Sequence, residues 1–197
     1  DYTAFFGVFK QSEFRSAAFG YFGHMWELYT FWAFVPVILN TYGNLHKTSS
    51  FNIPILSFFI IGIGGLACVL GTYISQKMGT KKTAFIALSL SCGCCLLCPW
   101  MFYFENQIVF MGFMMFWGMV VIADSPLFST LIAQNVSPQI KGTALTIVNC
   151  IGFSITIVSI QLLNLLKDYS HSTSIYLVLS IGPIIGLMAL KKRPKQI

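Results

Sequence analysis

IPILSFFIIGIGGLACVLGTYISQKMGTKK, residues 53–82, is the stretch that decides the fold. Its first part, 53–75, carries no charge and is long enough for a helix to cross the hydrocarbon core of a bilayer, which takes about 20 residues. Three lysines follow at once, Lys77, Lys81 and Lys82. Five further apolar stretches of similar length lie outward from it, at 18–39, 83–103, 107–133, 142–165 and 174–190. Ten of the twelve Lys and Arg residues fall in every second gap between them: Lys10 and Arg15, the three lysines above, Lys141, and then Lys191, Lys192, Arg193 and Lys195. The other side has only Lys47 and Lys167. Basic residues in short loops stay cytoplasmic, so the pattern predicts an all-α, multi-pass protein with six transmembrane helices and both termini in the cytoplasm.

Composition agrees. With 56% apolar and 9% charged residues and a mean hydropathy of +0.75, there are too few polar groups to cover a water-soluble body of this size. A net charge of +6 in a soluble protein would point to nucleic acid. Here the basic residues are spread over loops and a short tail, where anionic lipid headgroups explain them and no nucleic-acid partner is expected. The first stretch is too long for a signal peptide and lacks a small-residue cleavage site. The opening segment DYTAFFGVFKQSEFRS reads as the end of a cytoplasmic connecting loop, residues 1–17, and the expectation is a chain that is one part of a longer protein. Residues 18–190 then form the bundle, and 191–197, KKRPKQI, a basic cytoplasmic anchor.

All six cysteines fall inside spans, where no secreted-domain spacing appears. The run SCGCCLLC places Cys94 and Cys98 on one helix face, a spacing that a soft metal would accept. No His or acid accompanies them, and buried thiols pack well as small apolar groups. Neither a metal nor a cofactor is expected.

Ionisable residues inside spans are the main functional signal, because each costs on the order of 2.5–3.5 kcal/mol if charged and unpaired at mid-membrane. They are His24 and Glu27 in the first span and Asp124 in the fourth. His24 and Glu27 lie one helical turn apart, with Tyr21 before them, so they are placed to share a proton or a hydrogen bond. Desolvation penalises the ionised carboxylate, which suits a group that loads and releases a proton. The plainer reading is a protonated Glu27 bonded between helices and a neutral packing His24. Asp124 sits in ADSPLFST, where Pro126 removes a backbone donor and crowds the carbonyl of Ile122, placing a kink beside the charge. Such a kink either lines a cavity or simply bends a helix to fit its neighbour. Trp117, Val121, Asp124 and Phe128 form one stripe. In the fifth span, Thr146, Asn149, Thr156 and Ser159 fall within about 140° of circumference at 3.6 residues per turn. That stripe faces either neighbouring helices or a water-filled path.

Residues 72–82, TYISQKMGTKK, resemble the loop motif G-x-x-x-D-R-x-G-R-R of the major facilitator superfamily. Gly79 falls on the second Gly, Lys77 on the Arg, and Thr80 and Lys81 on the terminal pair, with Lys82 next and Gly71 one residue from the first Gly. Gln76 stands where the motif has Asp, so the salt bridge that Asp would make is missing. With six spans, the chain resembles the C-terminal six-helix half of such a transporter. That resemblance implies that the first and fourth spans line a central cavity, the second and fifth flank it, and the third and sixth face lipid. His24, Glu27, Trp117 and Asp124 would then lie in the cavity, Asn149 and Thr156 at its edge, and the Cys-rich third span outside. It further implies proton-coupled secondary transport of a small solute across the plasma (inner) membrane, by rocking against an N-terminal six-helix half absent from this chain. Glu27 or Asp124 would exchange the proton with help from His24, and Tyr21, Trp117 and Asn149 would bind solute. No Lys or Arg lies inside a span, which fits cationic or neutral solutes better than anions. A six-span membrane enzyme lacks an HExxH or GxSxG pattern. A non-transporting assembly or regulatory subunit, or a remnant six-helix fragment, is the alternative reading.

Overall fold

The computed structural model describes residues 7, 9–47, 51–170 and 172–191. Among these residues the regular structure is entirely helical. The helices are α1 (Ser12–Leu45), α2 (Ile53–Gly62), α3 (Gly64–Met78), α4 (Thr80–Met101), α5 (Gln107–Ala123), α6 (Ser125–Gln134), α7 (Lys141–Tyr169) and α8 (Ile181–Lys191), with 3-10 turns at Pro138–Ile140 and Thr173–Ser180. They form six up-and-down units, because α2 with α3, α5 with α6, and the second 3-10 turn with α8 each make one crossing. The basic tail, apart from Lys191, and residues 1–6 and 8 of the opening segment lie outside the described residues.

Five of the six units are long and apolar enough to cross a membrane by length and composition. The first, α1, is long enough at 34 residues but is diluted by His24, Glu27 and several Tyr and Trp residues. The bundle resolves this by position. α1 runs through its centre and packs against α2, α5, α6, α7 and α8. The most apolar unit, α2–α3, is the outermost, with 22% of its central window buried. Polar groups are thereby shielded by apolar helices, as a bilayer requires.

Glycine sets how closely the centre packs. Gly23 of α1 meets the backbone of Gly182 in α8, and a Cβ on Gly182 would come within 2.5 Å of the Gly23 carbonyl oxygen. Small residues let membrane helices approach this closely. The turn between α3 and α4 is a single residue, Gly79, at φ 88°, a left-handed backbone that glycine adopts without strain. At the opposite end, the side chains of Asn52 and Asn106 cap α2 and α5, accepting from Ile55 N–H at 3.2 Å and Ile108 N–H at 2.9 Å.

Three features differ from the sequence reading. The second span is interrupted at Ile63, flanked by Gly62, Gly64 and Gly65, where helix propensity is lowest. The sixth span begins as a 3-10 segment, Thr173–Ser180, and the Trp26 indole donates to its Val178 carbonyl at 3.0 Å. The third span, expected outside, does expose Ile86, Leu90, Leu97 and Trp100, but its other face packs inward, with Cys94, Cys95 and Cys98 in the apolar core. The physical reason is side-chain size: Ala84, Ala87, Ser91 and the thiols let α4 sit close to the centre.

Candidate functional site

The buried apolar residues fall into two clusters, one toward each end of the bundle. Toward the basic end lie Phe14, Met25, Leu88, Phe128 and Val148. Toward the other lie Phe31, Ile38, Cys98, Phe110 and Leu163. Between them runs a polar layer formed by His24 and Glu27 of α1, Ser91 of α4, Trp117 of α5, Asp124 at the α5/α6 break and Thr156 of α7. His24 and Glu27 are each 1% exposed and Asp124 0%.

Glu27 is held from two helices. Trp117 Nε1 donates to its Oε1 at 2.8 Å, and Ser91 Oγ donates to its Oε2. Trp117 is fixed in turn by the Phe31 ring, 4.3 Å away between centroids. Asp124 is held differently. Its carboxylate pairs with His24 Nδ1 at 2.8 Å, but among the described residues neither oxygen is met in hydrogen-bond geometry, and His24 Nε2 also has no partner there. His24 and Glu27 therefore turn to different partners rather than to each other. The imidazole sits between the Tyr21 and Phe128 rings, at 6.1 and 5.9 Å.

Asp124 is the hinge between α5 and α6, with Pro126 in the first turn of α6. Pro126 has no N–H to give the carbonyl of Ile122. That carbonyl accepts from the Cys68 thiol of α3 at 3.4 Å.

The fifth-span stripe divides. Thr156 Oγ1 donates to Met25 O at 2.9 Å, and Ser159 Oγ donates to Trp26 O at 2.7 Å while accepting from Thr30 at 2.9 Å, so these two tie α7 to α1. Asn149 is half-buried and Thr146 exposed. Tyr21 is buried against α7, and a Cβ on Gly152 would stand 2.8 Å from its ring. In the loop motif, Gln76, Lys77, Gly79 and Lys82 are exposed. Lys77 lies over the Tyr73 ring, and Lys81 pairs with Glu13 of α1 at 2.9 Å. Among the described residues no three His, Cys, Asp or Glu side chains are grouped to hold a metal ion.

Residues 4–160 match the sequence model of the Major Facilitator Superfamily. The chain belongs to that superfamily. Its members are transmembrane transporters rather than enzymes, and the helical bundle has the matching architecture. No curated protein and no solved structure gives a match. Ser91 and Cys68 were not singled out from the sequence of this facilitator. Ser91 lies in a span that the family resemblance sends to the lipid, and a lone Cys carries no sign of the carbonyl it meets.

Proposed function

We propose that this bundle is one half of a secondary active transporter that moves a small solute by alternating access, with proton exchange at Asp124 and His24. The observation that supports it is Asp124 itself: a fully buried carboxyl at a helix break, paired with an imidazole, with both oxygens free of hydrogen bonds among the described residues. A group so placed would exchange its partner when the helix on either side of it moves, and a proton gained or lost at that moment spares the cost of an unpaired buried charge. Glu27, anchored by two donors, is the fixed member of the layer. Trp117 serves Glu27, and Thr156 serves the contact between α1 and α7. Of the remaining solute-binding candidates, Tyr21 borders the imidazole and half-buried Asn149 is the polar group left to face solute.

Alternating access needs two repeats around one site, so a second six-helix half completes the cavity. The broad apolar faces of α2–α3 and α7, with only 22% and 28% of their apolar stretches buried, are available to it and to lipid. The basic loops support an orientation with the end carrying Lys81 on the cytoplasmic side, and the membrane of this reading is the plasma (inner) membrane. With no Lys or Arg at mid-depth, this half suits a cationic or neutral solute better than an anion, and any fixed positive charge would come from the companion half. The test is reconstitution of this bundle together with its companion half under an imposed proton gradient. Saturable accumulation that collapses with a protonophore is expected. Uptake indifferent to the gradient would remove proton coupling.

A further inference from the structure

The broken turn at Asp124 has a seat on the neighbouring α3, built from small residues one helical turn apart. Gly64 lies against the Ile122 side chain, and its Cβ would stand 3.1 Å from Gly118 O. One turn on, Cys68 donates its thiol proton to Ile122 O at 3.4 Å. At the end of the face, a Cβ on Gly71 would lie 2.8 Å from Ala123 O. The carbonyls of the two residues preceding Asp124 are thus met by one helix, and one of them is the carbonyl that Pro126 deprives of its regular helical donor and toward which the Asp124 N–H also points. A thiol is a weak donor, small enough to fit where a larger polar side chain would force the helices apart.

We propose that Cys68, with Gly64 and Gly71 around it, is a positioning residue that holds the broken turn so that the Asp124 carboxylate faces His24. This rests on the proton-exchange reading for its consequence, but the placement itself is measured without transport. The ionisable groups that bear on Asp124 are His24 and Glu27 of α1 and Cys68 of α3. Cys92 and Cys95 of α4 lie toward Glu27. α4, α7 and α8 carry their Lys and Asp residues only near their ends.

The experiment is infrared difference spectroscopy of the full-length protein without solute, following the carboxyl band that Asp124→Asn removes. Cys68→Ala is expected to shift the frequency of that band, because the carboxyl no longer keeps its place beside His24. Cys68→Ser, which keeps a donor, is expected to restore it. Combining Cys68→Ala with Pro126→Ala is expected to make the Cys68 change silent relative to Pro126→Ala alone, since the new amide N–H supplies the Ile122 carbonyl. Should Cys68→Ala fail to fold, rescue by Pro126→Ala supports the seat and absence of rescue overturns it. An unmoved band in folded Cys68→Ala, or a shift that Cys68→Ser does not reverse, also overturns it. Either result leaves the transport test of Asp124 untouched.

Discussion

Glu27 and Asp124 occupy the same buried layer and are equally hidden from solvent, yet they are secured in opposite ways. Glu27 sits within the unbroken α1, with one donor on each oxygen from two other helices. Asp124 sits where a helix stops and restarts, with an imidazole nearby and no aligned donor among the described residues. A fully bonded buried carboxyl stiffens the bundle, and one without bonds is the place where its polar network can change. Depth in the membrane is therefore a poor guide to role, and the number of donors a better one.

The largest effect expected from this contrast is on stability. Glu27→Ala strands the Trp117 indole and the Ser91 hydroxyl, at about 1–3 kcal/mol for each buried group left without a partner. Thermal unfolding in detergent checks it, and a variant as stable as the parent would mean that Glu27 is not the fixed member. A smaller loss is expected for Thr156→Val, which removes a single hydroxyl bond between α7 and α1 and costs about 1 kcal/mol without altering the pH profile of transport. A changed profile would return Thr156 to the solute or proton path.

Much of this architecture is legible in residue order. The apolar stretches locate the crossings, and Pro126 marks the break beside Asp124. What stayed hidden depends on which way side chains turn. Positions 24 and 27 share a helix face, but only packing decides that His24 reaches α6 while Glu27 reaches α4 and α5. The inward place of α4 was missed for a related reason, since hydropathy counts apolar atoms and does not say that Ser, Ala and Cys make the narrow face a central helix needs. The break at Ile63 carries a signal in its three flanking glycines, which an apolar count reads as continuous span.

The smallest effect belongs to the loop motif. Lys81 and Glu13 are each more than a third exposed, so Lys81→Ala should cost about 0–1 kcal/mol, less at high salt. Loss of proton-driven accumulation in that variant would move the exchange step from the buried layer to the basic end.

The most direct test sets the two carboxyls side by side. Asp124→Asn and Glu27→Gln are each assayed in proteoliposomes for proton-driven accumulation and for counterflow of solute down its own gradient. Asp124→Asn is expected to lose accumulation and keep counterflow, because a loaded carrier still rocks when its titrating group is fixed neutral. Glu27→Gln is expected to keep both, since the amide oxygen still accepts from Trp117 and the amide nitrogen faces a hydroxyl that also accepts. Intact accumulation in Asp124→Asn, or its loss in Glu27→Gln, would contradict the assignment of the exchangeable and the fixed carboxyl.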